Sequence, residues 1–110
     1  MGTKRISQKN NFSIVGKVLY VGMPIYFSEK MSKRLLVIEL WTMDGYKNEF
    51  AFDFINNRMA LLDKVRVNDV VDIVFQLRGR KVINEDGKVH WYNTIEGLAV
   101  TILNDKEDGN

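Results

Sequence analysis

Apolar and polar residues alternate through most of this chain with the period of two that marks half-buried strands. Residues 12–22 (FSIVGKVLYVG) are rich in β-branched and aromatic types and predict a long first strand. Gly16 within it predicts a bulge or sharp coil. Residues 23–33 (MPIYFSEKMSK) read as a loop, and 34–43 (RLLVIELWTM) as a second strand. Asp44-Gly45 predicts a two-residue type I′ hairpin, whose central positions both need φ > 0. Residues 46–54 (YKNEFAFDF) form the antiparallel third strand. There Phe50, Phe52 and Phe54 alternate with Glu49, Ala51 and Asp53, so the phenylalanines take the buried face.

The period then changes. In INNRMALLDKV (55–65) Met59 and Leu62, flanked by Ile55 and Val65, recur at helical spacing. This predicts a three-turn helix with Asn56 or Asn57 as its cap. Val67-Asn68-Asp69 is a turn, and 70–78 is a fourth strand with Val71, Ile73, Phe75 and Leu77 on one face. Residues 79–89 read as a charged arm with an Asp-Gly turn at its tip, and 90–103 (HWYNTIEGLAVTIL) as the fifth strand. Trp91 shares parity with Ile95 and Gly97 and is expected inside; Tyr92, with Thr94 and Glu96, is expected outside.

The order β-β-β-α-β-β defines the expected fold class. It is all-β with little helix: a five-stranded OB-fold Greek-key barrel with one helix between strands three and four. Closure removes the edges that such strands would otherwise expose. An SH3-like barrel, the main rival, would lack that helix. A chain of 110 residues fits one domain. The expected organisation is a disordered basic N-terminus over 1–10, the barrel over 11–103 and a short acidic tail over 104–110.

Composition narrows the chemistry. The absence of cysteine excludes disulfides and thiolate metal sites and suits a reducing compartment, expected to be the cytoplasm of a bacterium or phage-infected host. No apolar run approaches the roughly 18 residues of a spanning helix, so no membrane partner is expected. His90 is the only histidine, and no nucleophile elbow, GxxxxGK[ST] or GxGxxG is present. The carboxylates are scattered without a DxD or ExxH pair. The expectation is a non-enzyme with no catalytic residue, metal or cofactor. Residues 1–34 carry seven Lys and Arg against Glu29 alone, a basic front end that suits a polyanion.

Basic residues interleave with aromatics where an OB barrel receives single strands, across strands two and three and between the first loop and the arm. The first loop and its flanks hold Tyr26, Phe27, Lys33 and Arg34, with Lys17 on the first strand and Trp41 on the second. The arm holds Arg78, Arg80, Lys81 and Lys88, then Tyr92. Aromatic faces stack on any base and cations neutralise phosphates, so this set predicts sequence-tolerant binding.

The stretch 46–100 resembles a family of small bacterial and phage OB-fold proteins similar to bacterial single-stranded DNA-binding proteins. The shared features are the aromatic third strand (Phe50, Phe52, Phe54), Val67-x-Asp69-x-Val71 leading into strand four, the basic arm (Arg78, Arg80, Lys81), and Trp91-Tyr92-Asn93-x-Ile95 before Gly97. The resemblance implies binding of single-stranded DNA in replication or recombination by a homo-oligomer, with replication proteins as further partners. The end NDKEDGN is acidic but short and lacks the terminal aromatic of the bacterial proteins, as in a primosomal or phage-type truncated barrel. Two rivals stand beside this. Leu19, Leu35 and Val37 facing outward would suit a protein-interaction or oligomerisation barrel. Single-stranded RNA is a further ligand class, although the paired aromatics of cold-shock barrels on strands two and three are missing.

Overall fold

The computed structural model describes residues 5–104. Residues 1–4 and 105–110 of the two expected tails lie outside the described residues. Six strands form: β1 (Phe12–Val21), β2 (Ile25–Tyr26), β3 (Ser32–Trp41), β4 (Lys47–Ile55), β5 (Val70–Ile83) and β6 (Val89–Ile102). They lie in the order β1-β5-β6-β4-β3-β2, and β1 also pairs with β3. Five strands therefore close into a barrel, with β2 a two-residue addition in the loop outside β3. The seam is parallel, through the bridge Asp53↔Glu96 between β4 and β6. This is the expected OB-type barrel.

The inward positions follow the alternation. Val18, Leu36, Ile38, Phe52, Phe54, Leu62, Val65, Val71 and Ile73 form the buried core. Burying each such side chain contributes about 1.5–3 kcal/mol. Phe50 is only partly buried, and packs at the edge of this cluster with Ile14, Phe75 and Ile95. Gly16 lies where β1 leaves β5 for β3; a Cβ there would meet the Glu39 carbonyl oxygen at 2.8 Å. The bulge itself falls later, between Val18 and Tyr20, as β1 runs along β3.

Several local expectations are corrected. The element after β4 is a 3₁₀ helix over Asn56–Leu62, not a three-turn α-helix. Of its apolar residues only Leu62 is fully buried, too little to hold a longer amphipathic helix. Asn56 does not cap it through a side-chain bond; it sits at φ 52°, a left-handed conformation that asparagine tolerates. Neither hairpin is type I′. Gly45 N–H donates to Thr42 C=O at 3.0 Å while Thr42 N–H donates to Tyr46 C=O at 2.8 Å. Of the central residues only Gly45 has positive φ, so the connection is a three-residue turn with a glycine bulge. Asn84 to Lys88 repeats the pattern around Gly87.

The arm is also longer and more regular than expected. The β5–β6 ladder runs unbroken through Arg80↔Tyr92 to Ile83↔Val89. The β1–β5 pairing ends at Phe12↔Phe75 and the β4–β6 bridge is at Asp53↔Glu96, opposite Gln76, so beyond that bridge β5 and β6 pair only with each other. This explains Trp91. It does share a face with Ile95, but its part of the arm has outrun the core, leaving it 69% exposed. Asn10 and Asn104, both assigned by the sequence to tails, are tied to strand edges. Asn10 exchanges two hydrogen bonds with the Leu77 backbone, and Asn104 accepts from Val70 N–H at 2.8 Å.

Candidate nucleic-acid interface

On the outer surface, the base of the arm, the outward residues of β3 and β4, and the β2–β3 loop enclose a groove of about 700 Å³. It is lined by Phe27, Lys33, Arg78, Arg80 and Tyr92, together with Met31, Asp53, Ile55, Thr94 and Glu96. Five of the expected binding residues, from three separated parts of the chain, thus meet in one place. Strand parity brings the arm side together: Arg78, Arg80, Tyr92, Thr94 and Glu96 occupy one face of the β5–β6 ribbon.

The loop side is held by backbone and side-chain bonds. Phe27 N–H and Ser28 N–H both donate to Met31 C=O, at 2.9 and 3.2 Å. Asn56 staples this loop to the 3₁₀ helix: its Oδ1 accepts from Ser32 N–H at 2.8 Å and its Nδ2 donates to Lys30 C=O at 3.2 Å. Asn56 is a positioning residue that the sequence pattern misread as a cap. The Lys33 ammonium stands 5.5 Å from the centre of the Phe27 ring, a cation–π distance, and 3.5 Å from Asp53 Oδ2. Arg78 Nε donates to Glu96 Oε1 at 2.6 Å, and Gln76 Nε2 to the same oxygen at 2.8 Å. Burial works to raise the pKa of Glu96. The hydrogen bonds from Arg78 and Gln76, with the charges of Arg78 and Arg58, outweigh it and hold the carboxyl below its ordinary value.

The remaining expected residues lie elsewhere. Trp41 is exposed and shares the outer face of β3 with Lys33, but eight residues along, about 26 Å at strand rise. Lys17 stands opposite Glu39, toward the Trp41 end of that face. Tyr26 is exposed opposite Ser32, turned away from the Ile25–Lys33 pair. Lys81 and Trp91 are Cα partners on the other face of the arm, and Lys88 lies at its tip. Arg34 is engaged inside the fold. Its Nε donates to Gly22 C=O at 2.8 Å, and its Nη1 reaches Met59 C=O at 3.3 Å and Asp63 Oδ1 at 2.8 Å. It clamps the end of β1 and the 3₁₀ helix to β3. Arg34→Ala is expected to destabilise the fold by about 2 kcal/mol, read as a lower urea midpoint at unchanged m-value.

Among the described residues no group of three or more His, Cys, Asp or Glu could hold a metal, and no helix is long and apolar enough to cross a membrane. The groove instead offers cations, two aromatic faces and hydrogen-bonding side chains, a set suited to stacking and charge neutralisation.

Comparison with known proteins agrees with the barrel. The mitochondrial single-stranded DNA binding protein Rim1 of S. cerevisiae superposes with a TM-score of 0.67 at 16% identity, over 88% of this chain and 97% of that one. The N-terminal domain of PriB from Thermoanaerobacter tencongensis, described as dimeric, superposes with a TM-score of 0.62 at 18% identity, over 87% and 98%. At such identities the likeness establishes the fold alone, an OB barrel. No curated protein matches the chain by sequence. The family model described as a domain of unknown function, DUF3127, matches residues 13–101.

Proposed function

The chain belongs to the DUF3127 family, and from its barrel and groove we propose that it is a sequence-tolerant single-stranded DNA-binding protein acting in replication or recombination. The observation that carries this reading is the convergence of Phe27, Lys33, Arg78, Arg80 and Tyr92 on one groove. Bases stack on Phe27 and Tyr92, and phosphates lie along Arg78, Arg80 and Lys33. None of these contacts reads a base edge, which supports tolerance of sequence. A strand continuing along the outer face of β3 reaches Trp41. The likeness to Rim1 supports the ligand class.

The test is fluorescence anisotropy of a labelled oligo-dT at low and raised salt, with a duplex of equal length and an oligo-U as competitors. Saturable binding that weakens as salt rises, and that the duplex competes poorly, is expected. Full competition by oligo-U would move the ligand class to RNA. Tyr92→Ala is expected to weaken oligo-dT binding by about 1–3 kcal/mol, the contribution of one base–aromatic stack, with little change in stability because the ring is half exposed.

Self-association is a second reading, favoured by the apolar strip Leu77, Ile83, Val89 and Trp91 exposed on the other face of the arm. A two-stranded ribbon is marginal in water without cover. Light scattering with and without oligo-dT is expected to give a mass above the monomer's 12.8 kDa in both cases.

A further inference from the structure

The groove holds two carboxylates, an odd feature for a site that takes a polyanion, and both lie on the seam that closes the barrel. Asp53 and Glu96 are Cα partners in the β4–β6 bridge. Each is paired with a cation from the strand on its far side: Asp53 with Lys33 of β3 at 3.5 Å, Glu96 with Arg78 of β5 at 2.6 Å. A ladder Lys33–Asp53–Glu96–Arg78 therefore crosses four strands along the groove. Glu96 is only 7% exposed and also accepts from Gln76. Its carboxyl, held below the ordinary range, is ionised at neutral pH. Among the described residues Arg80 makes no ion pair, so it is the one groove cation left without an internal counter-charge.

We propose that Asp53 and Glu96 are a built-in brake on nucleic-acid affinity, neutralising Lys33 and Arg78 inside the groove so that a bound strand meets only part of its positive charge. This rests on the reading of the groove as a single-strand site. A phosphate that docks on a free cation releases condensed counterions, and log K then falls with log salt by about 0.7 per contact on a single strand. A phosphate that docks on Arg78 or Lys33 instead shares a cation with a protein carboxylate. Affinity is lower, the salt dependence is shallower than three cations would give, and bound strands leave more readily.

The brake is separable from side-chain orientation. In Glu96→Gln an amide oxygen still accepts from Arg78 Nε, so only the charge is lost. Asp53→Asn does the same for Lys33. Each variant is expected to bind oligo-dT roughly fivefold more tightly at low salt, the effect of one unit charge about 4 Å away through water. Each is also expected to steepen the salt slope by about 0.7. The experiment is anisotropy of labelled oligo-dT across a salt series for wild type, E96Q and D53N, with thermal melts to establish folding. If E96Q does not fold, D53N, whose carboxylate is less buried, decides alone. Wild-type binding with no gain in affinity and no steeper slope in the folded variants overturns the brake while leaving the groove reading intact. Absence of wild-type binding removes the groove reading first, and the brake with it.

Discussion

Gly97→Ala is expected to destabilise the barrel by about 3 kcal/mol, the upper range for overpacking a core. Gly97 is buried on β6 with the ring of Phe54 directly over it. An added Cβ would lie 2.5 Å from Phe54 Cε1 and 2.6 Å from Cε2, far inside van der Waals contact. Phe54 is itself fully buried and packed within the core, so neither ring nor strand can give way cheaply. For a domain of this size such a loss lowers Tm by roughly 12 °C or more. Ala99→Ser, two residues along the same strand at an exposed position, is the control and is expected to change Tm little. Equal melting of Gly97→Ala and wild type would show that the seam of the barrel is looser than its packing implies.

Arg80→Glu is expected to give the largest loss of oligo-dT binding among single groove substitutions. Lys33 and Arg78 are already ion-paired with carboxylates, whereas Arg80 makes no ion pair among the described residues. Reversal removes one attraction and adds one repulsion, about 2 kcal/mol in all near a phosphate in water, or roughly thirtyfold. Arg80 sits on the exposed part of the arm where β5 and β6 pair only with each other, so the melting temperature is expected to stay within 1–2 °C of wild type, roughly the effect of an ordinary surface substitution. Anisotropy at low salt checks the affinity, and circular dichroism checks the fold. Unchanged affinity in a folded variant would take the arm out of the binding path.

Much of the barrel was legible in the sequence because closed sheets bury one face of each strand. The alternation of Phe50, Phe52 and Phe54, and of Val71 and Ile73, follows from that burial, and it marked out the five long strands in their order along the chain. The turns were less legible. Asp-Gly fits both a type I′ turn and a type I turn with a glycine bulge, and the choice depends on the strand register at Thr42–Tyr46. Periodicity around Met59 and Leu62 is equally compatible with a short 3₁₀ turn when only one of them is buried. Trp91 shows a different gap: parity tells which face a residue takes, not how far the core extends beneath it.

The candidate site was legible in residue type more than in which residues line the groove. Phe27, Lys33, Arg78, Arg80 and Tyr92 were visible as basic and aromatic residues in the expected loop and arm. Arg34 looked the same in sequence, yet its guanidinium satisfies the Gly22 and Met59 carbonyls and Asp63. Lys81 differs from Arg80 by one position and therefore by one face of the ribbon. Glu96 and Asp53 carried no sequence signal as a pair. They are 43 residues apart and meet only because β4 and β6 close the barrel in parallel.

Single-stranded DNA is expected to lie in the groove between the arm and the β2–β3 loop. The most direct test of this placement is titration of the isotopically labelled protein with oligo-dT, followed by backbone amide chemical shifts. Shifts concentrated at Phe27, Lys33, Asp53, Arg78, Arg80, Tyr92 and Thr94 are the predicted result. Saturable binding with shifts confined to the opposite side of the barrel, around Arg66 to Asp69, or no shifts at all at low salt, would contradict it.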